Sequence, residues 1–301
     1  MTSAAAIESA RAVGVGQRVR VVLSLFKLRI GAVIAFTSLA GWAVASGPAL
    51  DAWRVVVLGL AVFLSSASAG AFNQYVERDV DACMKRTRKR AFVTGALPHT
   101  RAWLAVILLL VAASTLAAWW ALNAWAALYT FLGAFFYAVV YTVWLKRRTW
   151  LNIVIGGLAG SFAVLAGAAA VDPHIGAVPM LLAVILFLWT PPHFWSLAIA
   201  FRKDYEAARV PMLPLVVGDA GAARAIFAHA VALVALSIVP VFLGLGVVYL
   251  SCAVAGGALL VQRSWLLLRE PGPRRAMGAF HASLSQLTLL LLGAILDGAL
   301  L

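Results

Sequence analysis

The sequence predicts an all-α polytopic membrane protein, with nine transmembrane helices around a central cavity, its N-terminus cytoplasmic and its C-terminus outside. Composition is the first reason. Of 301 residues 64% are hydrophobic and 12% charged, and the mean hydropathy is +0.97. A soluble domain is closer to half apolar and a quarter charged. The second reason is the recurrence of apolar runs of about 20 residues, each enough to cross a bilayer at 1.5 Å rise per residue. The third is the alternation of basic charge between the ends of those runs.

The runs lie near 30–47, 54–75, 151–171, 178–200 and 281–300. Two other stretches are too long for one helix. Residues 103–145 split at "LNA", around Asn123, and residues 225–264 split near Pro240 to Gly246, which brings the spans to nine. Residues 1–29 precede the first span and lack a short apolar core ending in a small-residue cleavage site. They read as a basic cytoplasmic arm rather than a signal peptide, followed by one intramembrane domain over 30–301.

Charge tests the count. With the N-terminus inside, 23 of the 24 Lys and Arg fall in inside segments and only Arg54 lies outside. A miscounted helix would scramble that pattern. The net charge of +13 is therefore mainly a topology signal and does not imply nucleic-acid binding. Cys83 and Cys252 are far apart and form no CxxC, so neither a disulfide framework nor a thiolate metal site follows.

The acids do not follow from topology. Six of eleven lie in two inside loops: Glu77, Asp79 and Asp81 after the second span, and Asp204, Glu206 and Asp219 after the sixth. Asn73, Glu77 and Asp81 are spaced i, i+4, i+8 and stack on one helical face, while Asp79 points away. An amide and two carboxylates form an oxygen-ligand set for a hard divalent cation, Mg²⁺ above all. Neighbouring Arg and Lys then suit phosphate oxygens. Acids among bases in a loop are ordinarily solvated ion pairs. That accounts well for Asp79 beside Arg78 and less well for three oxygen donors on one face. A shift of 127 residues aligns Asp204 with Glu77 and Glu206 with Asp79, a faint internal repeat of four-helix units.

"NQYVERDVDACMKRTRKR" (73–90), "YTVWLKRRTWLNIVIGGLAG" (141–160), "PPHFWSLAI" (191–199) and "KDYEAARVPMLP" (203–214) together carry a resemblance. The chain resembles the intramembrane prenyltransferases of the UbiA superfamily over about residues 25–300, and within it the haem-farnesylating branch. Two positions depart from the branch's pattern. Glu77 stands where Asp is usual, and Leu28 in "LFKLRI" where Pro is usual.

The resemblance implies transfer of a farnesyl group from farnesyl diphosphate to a vinyl group of haem b, giving haem O. It implies Mg²⁺, with Mn²⁺ as a substitute, held by Asn73, Glu77, Asp81 and Asp204. Lys146 and Arg147 are the leading diphosphate contacts. Arg86, Arg90, Arg148 and Lys203 are further ones, and plain positive-inside anchoring is the other reading of Lys146 to Arg148. Tyr75, Tyr141 and Tyr205 are candidates to face an allylic cation, and equally interfacial aromatics. His193 follows Pro191 and Pro192, which withdraw backbone donors from a helix and suit a stretch lining a cavity. Its two readings are an axial haem ligand and a neutral histidine tying neighbouring helices. The implied setting is a bacterial inner membrane with a cytoplasmic-side site, and the implied partners are the lipid bilayer, downstream a haem A synthase or haem–copper oxidase assembly, and no nucleic acid.

Three other functions compete. A prenyltransferase acting on an aromatic acid or quinone precursor is nearest, and the stretches at 191–199 and 203–214 argue against it. A secondary transporter would place its charges at mid-membrane, whereas these acids sit at helix exits. A purely structural scaffold for oxidase assembly predicts no metal dependence.

Overall fold

The computed structural model describes residues 15–300; Glu8 and Arg11 of the expected arm lie outside the described residues. Apart from turns, one π-helix and one short 3₁₀ segment, the described residues form α-helices and no strand. In chain order these are α1 (Val15–Leu25), α2 (Leu28–Ala43), α3 (Ala52–Val76), α4 (Arg78–Cys83), α5 (Ala91–Thr94), α6 (Arg101–Ala121) and α7 (Ala124–Phe135). The π-helix Phe136–Leu145 continues α7. Then come α8 (Asn152–Gly156), α9 (Leu158–Val171), α10 (Ala177–Ala200), α11 (Arg202–Ala207), α12 (Leu213–Ile238), α13 (Val247–Arg269) and α14 (Pro273–Gly298).

Eight helical spans among the described residues are long and apolar enough to cross a membrane. The segment expected as the first span is shorter than its apolar run. Helix α2 has 16 residues, about 24 Å, against a hydrocarbon core of about 30 Å. It stops at Ala43, ahead of the "ASGP" turn. The two long stretches divide where their sequences say. Asn123 caps α7, its Oδ1 accepting from the Ala126 N–H at 2.9 Å. Pro240 opens a 3₁₀ turn that ends at Gly244, whose φ of 110° suits glycine.

The helices close into a ring. The order α2, α3, α6, α7, α9 makes one half and α10, α12, α13, α14 the other; α9 meets α10, and α14 returns to α2. Small residues set the tightest joint. A Cβ on Gly41 would overlap the Val164 carbonyl, and one on Gly167 the Ser38 carbonyl, so α2 and α9 approach backbone to backbone. Large apolar side chains point outward instead, among them Leu109, Trp119 and Trp120 on α6 and Phe242. Trp53, Trp119, Trp120 and Trp125 gather near the helix ends opposite the basic loops, as an interfacial belt does. This is an integral membrane protein.

Each half carries one long helix followed at once by a six-residue helix: α3 then α4, and α10 then α11. Val76 corresponds to Ala200, Arg78 to Arg202 and Cys83 to Ala207, a shift of 124 residues. The shift of 127 read from the acids is thus three residues off, close to one helical turn. In the register of the helices Asp204 matches Val80, not Glu77.

Candidate active site at the α3–α4 junction

The site begins with a ladder that survives a helix end. Glu77 caps both α3 and α4. Its N–H still bonds the Asn73 carbonyl at 3.0 Å, and the Asp81 N–H bonds the Glu77 carbonyl at 2.8 Å. The i, i+4, i+8 stack is therefore kept across the junction. Asn73, Glu77 and Asp81 are 2%, 1% and 2% exposed, whereas the Asp79 side chain is 65% exposed.

Every oxygen donor on this face holds a cation. Lys27 Nζ donates to Asn73 Oδ1 at 2.7 Å. Lys146 Nζ donates to Glu77 Oε2 at 2.6 Å. Arg90 donates to both oxygens of Asp81, at 2.7 and 2.6 Å. The second oxygen of Glu77, Oε1, is buried with no hydrogen-bond partner among the described residues. An orphaned carboxylate oxygen in a buried site is costly and suits a further cation.

The π-helix explains how Lys146 arrives. Its i→i+5 bonds widen the turn, so Tyr137, Thr142 and Lys146 share a side. Thr142 Oγ donates to the Tyr137 carbonyl at 2.8 Å and accepts from Asn73 Nδ2 at 3.1 Å. Asn152 secures the following turn, its Nδ2 donating to the Thr149 carbonyl at 2.6 Å. Lys27 comes from the other direction. It sits in the left-handed region at φ 47°, ψ 47°, a conformation that costs a non-glycine residue about 1 kcal/mol or more. Its stem crosses Gly70, where a Cβ would crowd it. Burial, then the nearby Arg90 and Lys146 charges, push the Lys27 ammonium down to about 7.

The remaining candidates divide. Arg147 forms a two-pronged pair with Asp79 at 2.7 and 2.8 Å; that bond holds the Asp79 carboxyl below and the Arg147 guanidinium above its ordinary range. Asp204 is buried and accepts from the Lys85 and Arg86 backbone N–H groups at 3.2 and 3.1 Å, so it anchors the basic loop from the other half. Arg86, Arg148 and Lys203 are exposed, with Arg86 lying 5.7 Å over the Phe201 ring. Tyr141 stacks on Tyr137 and faces Lys146 at 5.4 Å. Tyr205 is buried against Val80 and Met84. Tyr75 turns from the cluster and stacks on His99 at 4.1 Å. Among the described residues no three His, Cys, Asp or Glu side chains form a metal cluster; the cation-compatible set is two carboxylates and an amide.

Lys27 and Tyr137 also line an apolar cavity of about 370 Å³, within the range of small-molecule sites. Ile34, Val62, Ala163 and Leu287 form its walls, and His193 lies on it too. Helix α10 runs unbroken through Pro191 and Pro192. His193 is buried between Trp189 and Phe280, with ring centroids 4.3 and 4.4 Å away, and its Nδ1 meets Ser283 Oγ at 2.7 Å.

Sequence reasoning passed over Lys27, Tyr137, Thr142, Asn152 and Ser283. Thr142 and Asn152 stand inside a motif it had singled out. Lys27 had been counted as topological charge, and nothing in its local pattern marks it, because its partner is 46 residues away.

Fold and site define the class: a membrane-embedded helical bundle in which a buried face of acids and bases stands at the end of an apolar cavity. The chain belongs to the UbiA prenyltransferase family, whose model matches residues 34–287. It is 53% identical to protoheme IX farnesyltransferase 2 of Paramagnetospirillum magneticum over 92% of this chain and 96% of that one. It is 46% identical to protoheme IX farnesyltransferase 1 of the same organism, over 91% and 97%. Among solved structures, a UbiA homolog from Aeropyrum pernix superposes with a TM-score of 0.70 at 22% identity, covering 90% of this chain and 98% of that one. A UbiA homolog from Archaeoglobus fulgidus, bound to DMAPP and Mg²⁺, superposes with 0.67 at 17% identity, covering 93% and 100%. Those two likenesses speak to the fold.

Proposed function

We propose that this protein transfers the farnesyl group of farnesyl diphosphate to a vinyl group of haem b, giving haem O. The family and the protoheme IX farnesyltransferase relatives support the reaction. The observation that carries the site is the buried face Asn73–Glu77–Asp81 with one basic side chain on each donor. A farnesyl diphosphate brings a charged head and an apolar tail, and the cavity beyond Lys27 suits the tail.

Asn73, Glu77 and Asp81 would hold Mg²⁺, with Asp204 near a second ion; Mn²⁺ offers the same hard-cation chemistry. The ion, when bound, neutralises charge on the diphosphate and makes it a better leaving group. Lys27 on Asn73, Lys146 on Glu77 and Arg90 on Asp81 would turn to phosphate oxygens, where they stabilise the charge that grows as the C–O bond breaks. Arg147, Arg86, Arg148 and Lys203 add positive potential around that end. Tyr137 presents its ring face beside Lys27 and Tyr141 beside Lys146, and both suit the allylic cation. The haem vinyl carbon attacks the cation, water adds to the new cationic carbon, and a proton leaves. His193 holds the haem by its iron, on the cavity wall about 10 Å up α10 from Ala200 at 1.5 Å per residue. Residues 15–29 bring Lys27 to the site from the arm, and the charge of the basic loops supports a diphosphate end on the cytoplasmic side of a bacterial inner membrane. A haem A synthase or oxidase assembly would take up haem O.

The test is acceptor choice. The protein in liposomes with farnesyl diphosphate and Mg²⁺ is offered haem b and a hydroxybenzoic acid together, and products are separated by mass. Haem O alone is expected; a prenylated acid without haem O would overturn the acceptor.

A further inference from the structure

We propose that Ser283 is a positioning residue. It fixes His193 in the Nδ1-protonated tautomer, so that an unprotonated Nε2 faces the haem iron. The inference rests on the reading of His193 as the haem contact and adds what sets its protonation.

The serine hydroxyl has one hydrogen to give. Ser283 Oγ lies 2.7 Å from the Phe280 carbonyl, to which it donates, and 2.7 Å from His193 Nδ1. A carbonyl oxygen cannot donate, so the Oγ hydrogen belongs on that side. Oγ then meets Nδ1 with a lone pair, and Nδ1 must carry the imidazole hydrogen. Were Nδ1 bare, two lone pairs would face each other at 2.7 Å. A neutral imidazole has only one N–H, so Nε2 keeps its in-plane lone pair, the orbital that ligates iron.

The surroundings lock this state. Trp189 and Phe280 cover both ring faces, so a ligand approaches along the ring plane. Trp189 is itself held by Nε1 donating to the Ser283 carbonyl at 2.8 Å. Nε2 has no hydrogen-bond partner among the described residues, and His193 lines the cavity.

The test is a haem titration of the full chain in nanodiscs, read by absorbance and by the iron–histidine stretch of the ferrous complex, with Mg²⁺-dependent farnesyl diphosphate binding measured in parallel. Loss of a hydrogen bond behind a metal-bound histidine typically costs 10- to 100-fold in affinity. Ser283→Ala should lose about that much haem affinity and lower the stretch frequency, leaving diphosphate binding unchanged, while Ser283→Thr restores both haem signals. Should the alanine variant not fold, Ser283→Cys, a weaker acceptor of similar size, should still lower the frequency relative to Ser283→Thr. A wild-type stretch and affinity in Ser283→Ala, or equal stretches in Cys and Thr, overturns the proposal if His193→Ala does abolish the signal. An unchanged signal in His193→Ala overturns the haem-ligand reading instead, and Ser283's role falls with it.

Discussion

Replacing Lys146 by Met should move two measurements in opposite directions. Lys146 donates to Glu77 Oε2 at 2.6 Å, with side chains 11% and 1% exposed. A divalent cation can reach the orphaned Oε1, but to take both oxygens of the carboxylate it has to displace that ammonium. A hydrogen bond to a charged group is worth about 1.5–3 kcal/mol net, which corresponds to roughly 10- to 150-fold in affinity. Lys146→Met should therefore raise Mg²⁺ affinity, measured calorimetrically at pH 8 without diphosphate, by about that factor. The same change removes a donor to the departing diphosphate, so kcat/KM for farnesyl transfer should fall by a similar factor. Removing one partner of a buried pair also destabilises, by about 3–5 kcal/mol, so the apo variant should melt lower and recover more than wild type on adding Mg²⁺. Unchanged or weaker Mg²⁺ binding in a folded Lys146→Met would refute the argument that Glu77 is the shared ligand.

Other outcomes follow from the same geometry. Glu77→Asp should keep appreciable turnover, being one methylene shorter with its charge intact, while Glu77→Gln should lose most of it; equal rates for Gln and wild type would make Glu77 a bystander. Excess chelator should abolish transfer, and Mg²⁺ or Mn²⁺ should restore it; full activity in chelator would remove the metal. Asp204→Asn keeps an acceptor for the Lys85 and Arg86 amides and loses the charge. If it weakens Mg²⁺ dependence, Asp204 is a ligand, and if activity is untouched its task is to hold the loop. Gly167→Val should lower thermal stability by several degrees, because its side chain would enter the Ser38 backbone.

Much of the fold was legible because a bilayer leaves few choices. Helices must satisfy their own backbone groups, so hydropathy marks the spans, and Asn123 and Pro240 mark the divisions. The exit face at Asn73, Glu77 and Asp81 was legible for a related reason: i→i+4 backbone bonds carry a period near four across the α3–α4 junction. What periodicity cannot carry is contact between distant segments. Lys27 meets Asn73 across 46 residues and His193 meets Ser283 across 90, and neither Lys27 nor Ser283 stands out in its own segment. The short α2 escaped because hydropathy continues past Ala43 while the backbone turns. The faint repeat was misregistered because acids were matched to acids. Asp204 and Glu77 are both buried carboxylates, but one accepts loop amides and the other a lysine. The π-helix escaped because nothing in "FYAVVYTVWL" differs in hydropathy from an α-helix.

The most direct test counts two products in one reaction. Purified protein with farnesyl diphosphate, haem b and Mg²⁺ is sampled for inorganic diphosphate and for haem O. The account predicts that they appear in equal amounts and that both vanish in Glu77→Gln. Diphosphate released without haem O, or haem O formed at the wild-type rate by Glu77→Gln, would contradict it.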